Sequence, residues 1–106
     1  MDNIHKGGCV CGAVRYEIQG DPNSTVVCHC KFCQKRTGST SAFLIYFKNT
    51  KIISIEGALK TYRHISDASG RWVDIQFCEQ CGSSVTWTIE LVPSWRGFEG
   101  GTFDDC

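Results

Sequence analysis

The 106-residue sequence predicts a single, mainly β domain, residues 1–106, built of short twisted antiparallel strands. Two observations carry this prediction. Apolar and polar side chains alternate with the period of two that a half-buried strand requires, and glycine-rich or polar turns separate the alternating segments. In addition, the eight cysteines are mostly gathered in closely spaced groups, which predicts that bound metal ions hold the strands together.

The first half of the chain contains four predicted strands, residues 13–19, 25–27, 41–47 and 51–56. In the first, Val14, Tyr16 and Ile18 share one face, opposite charged and amide side chains. A turn at 20–24, made of residues that favour turns, separates it from the second. Segment 41–47 is apolar on both faces, which predicts a central strand covered on both sides.

A single helical turn is predicted between the second and third strands, at 34–38, where a final glycine supplies a stop. The second half contains three strands, residues 59–64, 71–77 and 84–91. A polar loop of hairpin length, 66–70, joins the first two. In the last strand, alternation places Val85 and Trp87 on the same face, and Pro93 ends it.

Seven of the cysteines form two sets with the spacing of metal ligands. The three-cysteine set is Cys28, Cys30 and Cys33, and the four-cysteine set consists of Cys9 with Cys11 and Cys78 with Cys81. Each pair of the second set adjoins a predicted strand, and a glycine, Gly12 or Gly82, follows each pair. This predicts two related knuckles, the tight turns that carry a pair of metal-ligating cysteines. A disulfide framework is the alternative, but partners this close in sequence cross-link little of a fold. Four unrelated buried cysteines are the other alternative.

The two sets predict different metal sites. Four thiolates complete a tetrahedron, so the four-cysteine set predicts a structural zinc. The three-cysteine set is one ligand short, and an exchangeable fourth position is typical of a catalytic zinc. The side chains that could close it are His5, His29, His64 and Cys106. If the position is open, three thiolates weaken zinc toward water but still favour a thiolate ligand, which predicts chemistry on a small-molecule thiol.

Charge and hydropathy exclude several classes of partner. The 11 basic and 11 acidic side chains balance, so no overall field gathers nucleic acid or anionic membrane. The sequence has no apolar run of signal-peptide or membrane-span length, so we expect a reducing compartment, the cytoplasm. Lys31, Lys35 and Arg36 surround the three-cysteine set and could attract the carboxylates of an acidic thiol. A solvated surface turn is the alternative for each of them.

Three segments together resemble the glutathione-dependent formaldehyde-activating enzyme family, also called the centromere protein V domain family. They are GCVCGAVRY at 8–16, CHCKFCQKRTGS at 28–39 and FCEQCGS at 77–83. The resemblance implies an Mss4-like (β-tent) fold, a structural zinc at Cys9, Cys11, Cys78 and Cys81, and a catalytic zinc at Cys28, Cys30 and Cys33. It also implies a carbon-sulfur lyase that joins glutathione and formaldehyde into S-hydroxymethylglutathione. Members usually continue past the segment resembling 100–105, which predicts a fragment or a short member.

The alternative function belongs to another class. In it both zinc ions are structural, and the domain serves as a protein-interaction module or as a carrier of glutathione. A fourth protein ligand at the three-cysteine set would favour this alternative. In the enzyme hypothesis, no residue of the sequence stands out as the general acid for the new hydroxyl group.

Overall fold

The structure, a computed structural model, describes residues 3–105. Strands β1 (Ile4–Gly8), β2 (Arg15–Gln19) and β5 (Ile52–Glu56) form a small sheet in the order β1-β2-β5. A six-stranded sheet contains β3 (Ser24–Cys28), β4 (Ala42–Lys48), β6 (Leu59–Ile65), β7 (Trp72–Cys78), β8 (Ser84–Ile89) and β9 (Trp95–Glu99), in the order β3-β4-β9-β8-β7-β6. All strand pairs are antiparallel, so the predicted mainly β class is confirmed. Helix α1 (Lys31–Thr37) and the 3₁₀ turns Asn49–Lys51 and Gly100–Thr102 complete the described elements.

The hydrophobic core lies between the two sheets. Tyr16 and Ile18 from β2 face Phe47 from β4 and Phe98 from β9, and all four are buried. The Tyr16 and Phe98 rings lie 4.7 Å apart between centroids. This packing confirms the predicted apolar face of the first strand, and it leaves the opposite face of the large sheet for α1.

The sequence prediction missed two strands, β1 and β9. Both contain glycine, which weakens a strand pattern in the sequence. In the structure, a Cβ at Gly97 would lie 2.2 Å from Trp87 Cε2, and one at Gly7 would lie 2.4 Å from the Tyr16 hydroxyl oxygen. These glycines are therefore required because an aromatic side chain of the neighbouring strand covers each of them.

The predicted helical turn is right at its end and wrong at its start. Gly38 has a left-handed φ of +71° and its N–H donates to the Gln34 carbonyl, as a helix-ending glycine does. The helix begins at Lys31 because Cys30 is its N-cap, with Sγ accepting from the Cys33 N–H at 3.4 Å. The sequence prediction assigned that cysteine only a metal-binding role.

One prediction about strand faces is wrong, and another holds for most of its strand. Val85 and Trp87 do not share a face, because Thr86 pairs with Gln76 while Ser84 pairs with the next residue of β7, leaving Val85 in a bulge. Val85 consequently joins the core and Trp87 lies on the face that carries α1. Strand β4 is central as predicted, between β3 and β9, and both of its faces carry buried side chains, Phe47 on one and Ala42 on the other. The exception is Phe43, which packs on the backbone of Gly100 and stays 52% exposed.

Candidate metal centres

The four-cysteine set comes together as predicted. The Sγ atoms of Cys9, Cys11, Cys78 and Cys81 all lie within 4.8 Å of one another. Two of the separations are 3.6 Å, between Cys9 and Cys11, and 3.7 Å, between Cys11 and Cys78. A tetrahedral zinc with Zn–S bonds of about 2.3 Å holds its sulfurs about 3.8 Å apart. The donor set therefore fits zinc in both chemistry and spacing, and cannot be four unrelated cysteines.

Each pair is carried by a knuckle with the same backbone shape. Gly12 and Gly82 have φ values of +82° and +80°, the left-handed region that glycine adopts most easily. Their N–H groups donate to the carbonyls of Cys9, at 3.2 Å, and Cys78, at 2.9 Å. The prediction of two related knuckles is confirmed.

Ser83 links the two knuckles and was missed in the sequence. Its hydroxyl oxygen accepts from the Val10 N–H at 3.1 Å and lies 3.1 Å from Cys81 Sγ. The Ser83 hydroxyl and N–H lower the pKa of Cys81 to about 5, because both can donate to the thiolate. The signal for this role in the sequence is the position of Ser83 directly after Gly82, beside the second cysteine pair.

Cys11 of the same set resists ionisation instead. The Ala13 N–H favours the Cys11 thiolate, but desolvation and the neighbouring thiols outweigh it and raise the pKa of Cys11 to about 12. Like charges this close cannot all be present unless a cation offsets them. A divalent metal ion that binds four thiolates supplies that charge.

The three-cysteine set forms the second candidate centre. Cys28 ends β3, Cys30 caps α1 and Cys33 lies in its first turn, so the strand-to-helix turn aims all three sulfurs at one point. The three Sγ atoms lie within 4.8 Å of one another, with 3.3 Å between Cys28 and Cys30. Burial, together with the two neighbouring thiols, raises the pKa of Cys33 to about 12. This set could hold a metal ion with three thiolates.

Among residues 3–105, no fourth histidine, cysteine or carboxylate groups with these three sulfurs. The His5 ring packs against Phe47, and its Nε2 is 3.0 Å from the Gly20 carbonyl oxygen. The His64 ring stacks on Phe32 with 4.3 Å between centroids. His29 does not join the group either, and Cys106 lies outside the described residues.

The three basic side chains near this set differ in burial. Lys31 and Lys35 are exposed, and Lys31 Nζ donates to the Gln34 side chain at 3.2 Å. Arg36 has a side chain only 8% exposed, ion-paired with Glu99, and its guanidinium carbon lies 5.1 Å from the centroid of the Trp87 ring. Both sequence interpretations, a solvated turn and a free carboxylate-binding cation, are therefore wrong for Arg36.

Two cavities adjoin α1 on the face of the large sheet opposite the core. The smaller, about 180 Å³, is lined by Cys33 together with apolar side chains of α1, β4, β7 and β8. The larger, about 1090 Å³, is lined by Lys31 and Lys35 on one side and by Tyr62 and Phe77 on the other. Both cavities include Phe32 and Arg36, so they meet beside the helix that carries the three-cysteine set.

Comparison with known proteins agrees with this architecture. The crystal structure of a Rhodobacter sphaeroides protein superposes with a TM-score of 0.72 over 95% of this chain and 89% of the other, at 22% sequence identity. Within the residues that the structure describes, no helix has the length and apolar character needed to cross a membrane. The family model named glutathione-dependent formaldehyde-activating enzyme matches residues 4–106. With its two cysteine groups and antiparallel sheets, the chain belongs to the glutathione-dependent formaldehyde-activating enzyme family.

Proposed function

We propose that this protein acts on a glutathione-type thiol and formaldehyde as a carbon-sulfur lyase, forming S-hydroxymethylglutathione or a related small thiol adduct. One observation carries the proposal. The sulfurs of Cys28, Cys30 and Cys33 gather beside two cavities, and no other metal-binding side chain within 3–105 completes their set. Three protein ligands with a free fourth position are typical of zinc sites that bind a substrate.

The two metal sites would have separate roles. The four-cysteine set would hold a structural zinc, and because its knuckles come from opposite ends of the chain, residues 1–106 would form one domain. At the three-cysteine set, bound zinc would supply a soft coordination position that favours a thiolate over a thiol. We place this activity in the cytoplasm, where cysteines stay reduced and glutathione is available.

The chain's own side chains would bind and orient the thiol substrate. The larger cavity, about 1090 Å³, has the room for a tripeptide, and the ammonium groups of Lys31 and Lys35 can attract carboxylates at its edge. Arg36 would act differently, because its ion pair with Glu99 fixes α1, and with it Cys33, on the sheet.

Calorimetric titration tests the thiol site. Glutathione and S-methylglutathione are titrated separately into zinc-loaded protein whose metal content is assayed. We expect binding of the free thiol but not of the capped one, and loss of binding in Cys30→Ser. The Lys35→Gln variant should bind glutathione several-fold more weakly, while Lys60→Gln, a matched exposed lysine on β6, should not.

Exchange NMR then separates an enzyme from a carrier. The rate of S-hydroxymethylglutathione formation is measured with and without protein, because formaldehyde and thiols also react unaided. Acceleration supports the lyase. Binding without acceleration supports the carrier. If the protein binds neither glutathione nor its S-methyl derivative, the protein-interaction module is supported.

A further inference from the structure

The smaller cavity is apolar although it adjoins the proposed reaction centre. Its walls, apart from Cys33, Arg36 and Tyr46, are Phe32 of α1 and Leu44, Val73, Ile75, Trp87 and Ile89 of the large sheet. Arg36 is its charged member, and that guanidinium is already paired with Glu99. A cavity of this composition binds apolar groups rather than the polar backbone and carboxylates of glutathione.

The size of this cavity matters for the second substrate. Its volume is about 180 Å³, and an apolar protein cavity of about 150 Å³ binds benzene. Formaldehyde has no substituent on its carbonyl group beyond hydrogen and would leave most of this space unused. An aldehyde with a compact apolar substituent would fill it.

Tyr46 supplies a hydrogen-bond donor in the same cavity. Its hydroxyl oxygen accepts from Trp87 Nε1 at 3.3 Å, and the two rings meet edge to face with 5.8 Å between centroids. The hydroxyl hydrogen has no acceptor among residues 3–105. Burial is the main cause of a raised pKa for Tyr46, although the hydrogen bond from Trp87 acts against it, so the phenol stays protonated at neutral pH.

We propose that this cavity binds the apolar substituent of an aldehyde substrate, and that the Tyr46 hydroxyl donates a hydrogen bond to the aldehyde oxygen. The inference rests on the proposed function, because it places the aldehyde next to a thiol held at the three-cysteine set. It extends the substrate class from formaldehyde to aldehydes with a phenyl-sized group.

The step is an addition. The sulfur of the thiol forms a bond to the carbonyl carbon, and the carbonyl π electrons move to the oxygen. That oxygen takes the Tyr46 proton and becomes the hydroxyl of the thiohemiacetal. The thiol proton leaves to water, and the Tyr46 phenolate regains a proton from water. No oxidant or reductant is needed.

Binding is measured first, with a probe that cannot react. Saturation-transfer NMR with 2-phenylethanol on zinc-loaded protein reports on the cavity whether or not the protein is an enzyme. We expect binding to the native chain, at least about tenfold weaker binding to Val73→Trp because the indole fills the cavity, and native binding to Ile53→Trp. Ile53 is 49% exposed on β5 of the other sheet, so it controls for an added indole.

Reaction rates are measured second, with glutathione and either phenylacetaldehyde or formaldehyde. In Tyr46→Phe we expect the accelerated rate with phenylacetaldehyde to fall about tenfold or more, because a donor to the developing oxyanion is lost. Ile53→Trp, which changes an exposed side chain of the other sheet outside both cavities, should be close to native. In Val73→Trp the ratio of the phenylacetaldehyde rate to the formaldehyde rate should fall about tenfold.

The outcomes separate the two proposals. Suppose that the protein accelerates the reaction of formaldehyde yet neither accelerates that of phenylacetaldehyde nor binds 2-phenylethanol. That combination of results overturns this inference and leaves the proposed function intact. Binding of 2-phenylethanol that Val73→Trp abolishes, without acceleration of either aldehyde, supports the apolar site and overturns the reaction. If Val73→Trp does not fold, Val73→Thr replaces it, because threonine keeps the volume of valine and adds a hydroxyl group. This variant should bind 2-phenylethanol more weakly than the native chain does. Unchanged binding overturns the inference.

Discussion

At the scale of single residues, burial decides what each charged side chain near the metal centres can do. Lys31 and Lys35 keep their ammonium groups in solvent, whereas Arg36 is buried against Trp87 and ion-paired with Glu99. A buried cation without its partner is strongly destabilising, while exposed pairs contribute little. We therefore expect the Arg36–Glu99 pair to stabilise the fold.

We predict that Glu99→Gln lowers the free energy of unfolding by about 3–5 kcal/mol, since it leaves the Arg36 guanidinium buried without a carboxylate. Urea unfolding of zinc-loaded protein measures the loss. The matched control is Asp74→Asn, which breaks the more exposed Arg63–Asp74 pair and should lower stability less. Equal losses in the two variants would contradict the prediction.

Tyr16 makes stability depend on pH in the alkaline range. Burial raises its pKa in the folded chain, although the hydrogen bond between its hydroxyl and Thr102 Oγ1, 2.7 Å long, acts against that shift. Because the folded pKa lies above the unfolded value of about 10, the phenol's contribution to stability is complete below pH 10 and is lost as pH rises beyond it.

We therefore expect the stability difference between the native chain and Tyr16→Phe to shrink or reverse between pH 8 and pH 11, measured by urea unfolding. Val85→Ala removes buried apolar atoms and no titratable group, so its stability difference from the native chain should stay constant over that range. A parallel pH dependence of the native chain and Tyr16→Phe would show that Tyr16 is not the responsible group.

At the scale of elements, β9 is the strand on which the arrangement around Trp87 depends. It lies between β4 and β8, and its Gly97 pairs with Tyr46 on one side and Trp87 on the other. The Trp87 ring lies over this glycine and donates to the Tyr46 hydroxyl. Because Gly97 has no side chain, the Trp87 ring can lie against β9 and reach the Tyr46 hydroxyl.

We predict that Gly97→Ala lowers the free energy of unfolding by about 1–3 kcal/mol, because the new Cβ would displace the Trp87 ring. Tryptophan fluorescence and near-ultraviolet circular dichroism should change as well. Gly101→Ala is the control, since a Cβ there meets no atom within 4 Å. Unchanged fluorescence and stability in Gly97→Ala would mean that the indole does not pack on β9.

At the scale of the whole molecule, the four-cysteine set joins the two sheets. Cys9 and Cys11 lie between β1 and β2 of the small sheet, while Cys78 ends β7 of the large sheet and Cys81 follows it. The three-cysteine set joins only β3 to the helix that follows directly. Loss of metal at these two places should therefore have unequal effects on folding.

If each cysteine set holds one zinc ion, as we propose, Cys81→Ser and Cys30→Ser should each reduce the zinc content from two ions per chain toward one. Cys81→Ser should leave the chain largely unfolded at room temperature, because structural zinc contributes about 10–16 kcal/mol to folding. Cys30→Ser should stay folded, since serine preserves the N-cap of α1. Circular dichroism and metal assay measure both, and equal unfolding would refute separate roles.

The pH dependence of metal binding follows from the same thiols. Because the pKa values of Cys11 and Cys33 are raised to about 12, zinc binding at neutral pH must release protons. Zinc affinity should therefore fall as pH falls, and a buffered zinc titration at pH 6 and pH 8 with proton-release calorimetry measures it. Affinity that is equal at the two pH values would contradict this assignment of ligands.

The sequence by itself determined the mainly β class, most of the strands, the family and both cysteine groups. These features depend on local spacing. Alternation with a period of two identifies a strand such as β2 without reference to its neighbours. Likewise, Cys28, Cys30 and Cys33 are bound to lie close together because only four residues separate the first from the last.

Only the tertiary structure decided what surrounds those cysteines, because contacts between residues far apart in sequence leave no local pattern. Arg36 meets Glu99 across 63 positions, and Tyr46 meets Trp87 across 41. The bulge that sends Val85 to the core depends on how β7 pairs with β8, and alternation in one strand cannot show it. The apolar cavity beside the three-cysteine set exists because α1 packs on the face of the large sheet opposite the core.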